Sequence, residues 1–162
     1  MLRYLPNRVA YFCLFLLIHN LSFAQDITLL SQLANGSAKV SAVDNSVLYF
    51  DSGNKVVITD VSSPQSPTVL GSFLLEATIL DLDAEFERLA ILDAHGLFSL
   101  YSVEVPEMPI LLDSLSTGPV EFDPIFDSFA AEIKIAGNEV YILREDSGLL
   151  VIDISDQGNV QL

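Results

Sequence analysis

The stretch Lys55-Val-Val-Ile-Thr-Asp-Val-Ser62, followed by Pro67-Thr-Val-Leu-Gly-Ser-Phe73, decides the fold of this chain. Two apolar runs rich in β-branched residues flank a turn of serines and prolines, which is the pattern of two short strands. Related runs recur at Gly96–Val103 with Pro109–Leu115, and at Gly148–Ser155. Pro67 and Pro109 lie 42 residues apart. Units of about 40 residues built from short strands predict the blades of a β-propeller.

Each unit extends upstream by two further apolar segments, so the repeat contains four short strands. These segments lie within Val40–Asp51, Leu80–Asp93 and Ile133–Leu143. Turn residues such as Asp44-Asn45 and Gly137-Asn138 separate the strands. No long segment after the first 24 residues has a helical period. The chain is therefore predicted to be all-β, with blades of four antiparallel strands.

The repeat domain is predicted to span residues 25–162, with units over residues 34–73, 74–115 and 131–162. An opening strand is expected over residues 27–33, because Ile27–Leu33 matches the fourth strand of the first two units. An insertion occupies residues 116–130. About three and a fraction blades are fewer than the four to eight of a closed propeller. An incomplete or open propeller is expected, and three explanations stay open: a truncated product, closure with other copies or a partner, and an open arc.

Residues 1–24 have the three parts of a cleavable secretion signal. Arg3 and Arg8 precede the unbroken apolar run Val9–Ile18, and Ser22 and Ala24 place small residues before the expected cleavage point. The apolar run is about half of the roughly 20 residues that a membrane span needs. The sequence predicts export to the periplasm or the cell exterior, with no membrane association after cleavage.

The charge of the exported part is strongly negative. Loss of the signal leaves 5 basic against 22 acidic residues, a net charge of −17. Such a surface repels nucleic acid and anionic lipid, so neither is an expected partner. Cys13, the one cysteine, lies in the signal, and His95 is the one histidine after it. Nucleophilic catalysis and zinc binding need more of these groups, so no enzyme, cofactor or metal site is predicted.

Four carboxylates alternate along Asp81-Leu-Asp-Ala-Glu-Phe-Glu87. If the segment is extended, these carboxylates share one face of a strand. A solvated face opposite Leu82, Ala84 and Phe86 is the favoured interpretation. A weak calcium surface is the alternative, although the loop motif Asp-x-Asp-x-Asp-Gly is absent.

The insertion is the most distinctive stretch of the sequence, and long loops on a rigid scaffold often bind partners. It contains phenylalanines next to acidic residues, and the candidate partner contacts are Phe122, Asp123, Phe126 and Asp127. The favoured interpretation is nevertheless that the phenylalanines fold back and cover a blade face.

The segments Val57–Gly71 and Gly148–Ser155 resemble the LVIVD repeat family. The repeat of that family runs roughly Gly-Leu-x-Ile-Val-Asp-Val-Ser-Asp-Pro. The resemblance implies propeller blades in exported bacterial proteins, and it transfers no catalytic residue. The second unit departs from the pattern, because Tyr101 stands at the expected aspartate and Val103-Glu-Val-Pro106 replaces Ser-Asp-Pro.

Together these features predict an exported, acidic β-propeller repeat protein that acts as a non-catalytic protein-interaction scaffold. Self-association or a protein partner is expected, and the sequence identifies no small-molecule ligand. Two alternatives stay open. In the first, the chain is part of an enzymatic or carbohydrate-binding propeller whose site needs further blades. In the second, it is a calcium-dependent surface adhesin.

Overall fold

The computed structural model describes residues 28–33, 37–123, 128–129 and 131–156. The expected signal, Phe126 and Asp127 lie outside these ranges. Within them the chain forms β-strands and no helix, and so no helix there is long and apolar enough to cross a membrane. The strands are β1 (Ser41–Asp44), β2 (Val47–Ser52), β3 (Lys55–Asp60), β4 (Thr68–Leu74), β5 (Ile79–Glu85), β6 (Arg88–Asp93), β7 (Leu97–Ser102), β8 (Ile110–Ser116), β9 (Phe122–Asp123), β10 (Ser128–Phe129), β11 (Ala131–Ala136), β12 (Glu139–Arg144) and β13 (Gly148–Asp153).

The strands form three antiparallel meanders in which each strand pairs with the next. Sheet I contains β1–β4, sheet II contains β5–β8, and sheet III contains β11–β13. A two-stranded ribbon of β9 and β10 lies between sheets II and III in the sequence. The all-β prediction is confirmed, and the three sheets form an open array that does not close on itself.

One hydrogen bond repeats in all three sheets. The N–H that follows the third strand donates to a carbonyl in the turn between the first and second strands, at 2.8–2.9 Å. This bond joins the end of the third strand to the first hairpin of the same sheet. The donor and acceptor pairs are Val61 and Ser46, Val103 and Glu87, and Ile154 and Asn138.

The aspartate at the end of the third strand closes a turn. In sheet I, Asp60 Oδ1 accepts the N–H of Ser62 at 2.8 Å, and in sheet III, Asp153 Oδ1 accepts the N–H of Ser155 at 2.8 Å. These bonds stabilise the ionised carboxylates and therefore lower the pKa of Asp60 and of Asp153.

In sheet II the strand register places Ser102 at this position, and the expectation of Tyr101 was wrong. Ser102 pairs with Arg88, which is the first residue of the second strand, as Asp60 pairs with Val47 in sheet I. The hairpin before the third strand is one residue longer in sheet II, and this shifts the alignment by one. Tyr101 instead packs against Phe73 of sheet I, with ring centroids 5.0 Å apart.

Sheet II lies between the other two and is covered on both faces. We call the side of a sheet that is turned toward the next sheet in the chain its forward face, and the opposite side its rear face. The forward face of sheet I and the rear face of sheet II form one buried cluster, which includes Ala42, Tyr49, Val56, Ile58, Leu82, Leu89 and Ile91. The forward face of sheet II and the rear face of sheet III form the other, which includes Ala90, Leu92, Phe98, Leu100, Ile133, Val140, Ile142 and Ile152.

The opening strand expected over residues 27–33 is not formed. Residues 28–33 have no regular structure, and Ile27 lies outside the described residues. A fourth strand needs the free edge of a third strand, and β3 and β7 already pair with β4 and β8. Among the described strands, the third strand without a fourth neighbour is β13, at the other end of the array.

Candidate interaction surface

His95 lies in the hairpin between β6 and β7, where its side chain is exposed. The backbone N–H groups of His95 and Leu97 both donate to Asp93 Oδ1, at 2.9 and 3.0 Å. Asp93 therefore shapes the turn that carries the histidine. In the part of the chain that the structure describes, no three His, Cys, Asp or Glu side chains lie close enough to hold a metal ion.

The alternating carboxylates of β5 connect sheet II to sheet III, and the expectation of a solvated face was wrong. Asp81 accepts the N–H of Ile133 at 2.7 Å, and Asp83 accepts the N–H of Ile135 at 2.8 Å. Glu85 continues the series at the following turn. The carboxylates are spaced two residues apart and so match successive N–H groups on one edge of β11. They replace the backbone carbonyls that a neighbouring strand would offer.

Burial controls the electrostatics of this ladder of carboxylates. Removal from water raises the pKa of Asp81, and the hydrogen bond from Ile133 partly opposes that rise. Asp83 is buried and also pairs with Lys134 Nζ at 2.8 Å. Glu87, the fourth acid, lies exposed in the β5–β6 turn, where its backbone N–H donates to Asp44. The carboxylates proposed for calcium are thus mostly engaged by backbone donors.

The insertion forms a short hairpin, in which Phe122 pairs with Phe129 and Asp123 pairs with Ser128 along the backbone. Of the four candidate contacts, Phe122 and Asp123 therefore lie on β9. Phe126 and Asp127 lie outside the described residues. The base of the insertion is well anchored, since Thr117 donates through its N–H to Gly96 O at 2.8 Å.

A buried arginine that the sequence did not single out holds this base in place. The Arg144 guanidinium donates to the carbonyls of Thr117, Gly118 and Pro119 at 2.9, 3.0 and 2.6 Å. It also makes a two-pronged ion pair with Asp146, at 2.9 and 2.6 Å. This bonding lowers the pKa of Asp146 well below its usual range. A lone arginine in a strand carries no sequence signal for such a role.

The forward face of sheet III is the largest departure from the burial seen in the other sheets. Its apolar side chains Leu143, Leu149 and Val151 are 54%, 59% and 42% exposed. Leu143 pairs with Leu149 across the strands, and Tyr141 pairs with Val151. A shallow depression of about 230 Å³ lies on this face and is lined by Glu132, Ile133, Lys134, Tyr141, Leu143 and Leu149.

The corresponding positions of sheets I and II are buried. In sheet II the matching cross-strand pairs are Leu92 with Phe98 and Ala90 with Leu100, all of them 0% exposed. In sheet I they are Asp51 with Val56 and Tyr49 with Ile58, all nearly inaccessible. The forward face of sheet III therefore has the composition of an inter-sheet contact without the next sheet.

The rear face of sheet I, at the other end, is partly covered by residues 28–33 and 37–38. Ser31 Oγ donates to Pro64 O at 2.7 Å, and Leu33 and Ala38 lie beside Leu48 and Phe50 of this face. The cover is incomplete, and an open depression of about 420 Å³ remains. It is lined by Ser31, Leu33, Ala38, Ser41, Leu48, Phe50, Val61, Pro64 and Pro67.

An open row of antiparallel meanders, packed face to face, defines a propeller-like repeat protein. A family model of the LVIVD repeat matches residues 39–74 and 129–162. The two matched ranges are similar to the LVIVD repeat, and they contain sheet I and sheet III. Sheet II lies between the matched ranges, in agreement with the departure of its third strand from the aspartate-containing motif. No curated protein matches the sequence.

Solved structures share the fold at low sequence identity. The computationally designed Ika4 protein is 13% identical with a TM-score of 0.62, over 85% of this chain and 79% of Ika4. Apo AztD of Citrobacter koseri is 13% identical with a TM-score of 0.60, over 85% of this chain and 38% of AztD. The glutaminyl cyclase of Myxococcus xanthus is 18% identical with a TM-score of 0.51, over 76% of this chain and 50% of the cyclase. The likeness concerns the fold alone, and the chain spans half or less of these two natural proteins.

Proposed function

We propose that this chain is an exported, non-catalytic scaffold that binds protein partners through the forward face of sheet III and the adjoining edge of β13, which is free of a fourth strand among the described residues. The observation that carries the proposal is the exposure of Leu143, Leu149 and Val151, which occupy positions buried in both other sheets. Contiguous exposed apolar patches with a polar rim are typical of protein interaction sites. Here Glu132, Lys134 and the depression between them supply the rim.

The free edge of β13 gives the surface a second means of recognition. An unpaired third strand offers a row of N–H and C=O groups to an added strand. Partner addition to a sheet edge combines these main-chain bonds with side-chain pockets on alternate positions. The exposed apolar side chains of β13 lie on the same face as Leu143, so one extended segment would engage both the edge and the face.

The interior acids support a scaffold role more than a catalytic one. Asp81 and Asp83 hold β11, and Asp93 holds a hairpin turn. Each of these carboxylates accepts backbone N–H groups, which leaves it committed to the architecture. Export is part of the proposal through the features of residues 1–24, and N-terminal sequencing of secreted protein is expected to begin at Gln25.

The test immobilises the wild-type chain, a Leu143→Asp variant and a matched Met108→Asp variant. Met108 is 70% exposed in the connection after β7, far from sheet III in the sequence. Proteins from the exported fraction of the source cells are passed over all three and identified by mass spectrometry. The wild type and M108D are expected to retain the same proteins, and L143D is expected to lose them. Equal retention by all three chains would contradict the proposed surface.

A further inference from the structure

We infer that the partner of this surface is a second copy of the chain, whose residues 28–33 add to β13 as the fourth strand of sheet III, so that two copies close one ring of six sheets. This inference rests on the proposed function, since it names the occupant of the same surface. It explains together three features of the described residues: a third strand, β13, without a fourth neighbour, a segment 28–33 without regular structure, and two end faces that are exposed or incompletely covered.

Residues 28–33 repeat the side-chain pattern of the fourth strands. In β4, Leu70 and Phe73 pack into the core between sheets I and II, and in β8, Leu112 and Leu115 pack into the core between sheets II and III. In each strand a bulge occurs at the first residue of the pair, which is Leu70 in β4 and Leu112 in β8. Thr28-Leu-Leu-Ser-Gln-Leu33 places leucines at the same two positions, 30 and 33.

The other sheets also fix the register of the added strand. Val56 pairs with Phe73, and Phe98 pairs with Leu115. By the same pairing, Leu149 of sheet III lies opposite Leu33 of the second copy. Leu30 and Leu33 then extend the apolar forward face of sheet III. Leu29 points away from it, as the exposed Val69 does on β4.

The exposed forward face of sheet III and the incompletely covered rear face of sheet I are complementary because both belong to the repeat. The rear faces of sheets II and III present Leu89 and Val140 to the sheet before them, and both are fully buried. The strand register places Leu48 of sheet I at the same position. The rear face of sheet I is therefore built to receive a forward face, and sheet III of the second copy provides one.

The number of sheets indicates that a closed ring would contain two copies of the chain. The described residues of one chain form three of these meanders, so two chains contribute six and three chains contribute nine. Closed propellers have about four to eight blades, and the pair alone falls inside that range. Head-to-tail contacts of this kind form a ring when the rotation closes and a filament when it does not. The connection from residue 34 to residue 40 is longer than the four residues, 75–78, that join β4 to β5.

The strong negative charge of the chain opposes its association with another copy. Apolar burial at both junctions drives association, and salt weakens the repulsion. Raising the ionic strength from about 0.01 M to 0.15 M shortens the screening length from about 30 Å to about 8 Å. The dimer fraction is therefore expected to rise with salt.

The first test is solution mass by light scattering, with circular dichroism on the same peak, for the wild type and two variants. Leu30 and Leu29 are 54% and 80% exposed, so Leu30→Asp and Leu29→Asp both leave the described fold intact. The wild type and L29D are expected to have twice the chain mass, and L30D the mass of one chain. A monomeric wild type, a filament, or equal behaviour of L29D and L30D would overturn the inference.

The second test traps the register with cysteines in a Cys13→Ser background. A chain with Leu33→Cys is mixed with a chain carrying Leu149→Cys, and oxidation is expected to give a covalent dimer. The control replaces Leu33→Cys by Gln32→Cys, which faces the other side of the strand. Equal cross-linking of the two mixtures, or none, contradicts the proposed pairing. If the wild type is monomeric and the Leu143→Asp substitution still abolishes the binding of other proteins, the second copy is not the partner. The proposed function would then still stand.

Discussion

The first three strands of sheet II and the three described strands of sheet III have the same order and matching cross-strand positions, yet the forward faces of the two sheets have different surroundings. Phe98 in sheet II is fully buried against sheet III, whereas Leu149 at the matching position of sheet III is mostly exposed. Both residues are large and apolar, and both pair with a leucine on the second strand. The difference comes from the presence of a following sheet, since the local sequence is equally suited to burial.

The repeat therefore places apolar residues suited to an interface on both faces of each sheet. A unit in the middle of an array satisfies both faces, and a unit at the end presents one of them to solvent. Repeat proteins usually place polar residues on such ends. Sheet III instead has Leu143, Leu149 and Val151 there, and their exposure is the basis of the proposed partner surface.

Truncating the two matching side chains should give the largest difference. Phe98→Ala is expected to destabilise the protein by about 3–5 kcal/mol, because it removes a buried ring and leaves a cavity. Leu149→Ala is expected to cost less than about 1 kcal/mol in the isolated chain, because its side chain is already in contact with water. Urea unfolding at a protein concentration low enough to keep the chain monomeric measures both. Comparable losses would show that sheet III is covered in solution.

The next largest difference in stability is expected between substitutions in the hairpins that follow the second strands of sheets II and III. A Cβ on Gly96 would lie 1.7 Å from Gly118 O, and the φ of Gly96 is +73°. Gly148 has a φ of +79° and open space around it. Gly96→Ala is expected to cost about 3 kcal/mol from backbone strain and displacement of the insertion. Gly148→Ala is expected to cost about 1 kcal/mol from its φ alone.

Thermal unfolding of the two glycine variants measures this difference. Far-ultraviolet circular dichroism follows the loss of the strands during heating. Equal melting temperatures for the two variants would mean that the insertion yields without cost at residues 117–119.

The acids of the two sheets should respond to pH with opposite signs. The pKa of Asp146 is lowered in the folded chain, so its contribution to stability is present at neutral pH and is lost as the pH falls below the usual aspartate range. Asp146→Asn is therefore expected to cost about 2 kcal/mol at pH 7 and progressively less in acid. The pKa of Asp81 is raised, so ionisation of its carboxylate lowers stability as the pH rises through that pKa.

Asp81→Asn keeps an oxygen for the N–H of Ile133 and removes the buried charge. It is expected to match the wild type in acid and to equal or exceed its stability at pH 7. Urea midpoints between pH 3 and pH 7 compare the two variants with the wild type. Parallel pH profiles for D81N and D146N would contradict the assigned directions.

The smallest change in stability is expected from substitutions in the hairpin between the first and second strands of a sheet. Phe86 and Glu87 of sheet II have φ values of 52° and 60°, whereas sheet III uses Gly137 at the corresponding turn. Side chains in the left-handed region are strained, and Asn-Gly is the sequence that suits two such residues. The double change Phe86→Asn with Glu87→Gly is expected to stabilise the chain by about 1 kcal/mol. A lower urea midpoint would show that the exposed Phe86 ring makes a compensating contact.

Much of the fold could be predicted from strand patterns and spacing. The turn residues, the alternation of apolar positions and the recurring aspartate and proline predicted meanders of four strands, and sheets I and II have them. The alignment failed by one residue at Tyr101, because a longer hairpin changes the register without changing the apolar pattern. The carboxylates of Asp81 and Asp83 were predicted to be solvated, since alternation cannot tell water from the edge of another strand.

The sequence by itself determined the repeat, because strand length, turn chemistry and apolar periodicity are local properties of about 40 residues. Tertiary structure alone decided which faces are covered, where the buried Arg144 is bonded, and which third strand lacks a neighbour. Burial depends on what stacks against a sheet, and residues far apart in the sequence supply that neighbour. For this reason apolar residues at matching positions form a core in sheet II and a surface in sheet III.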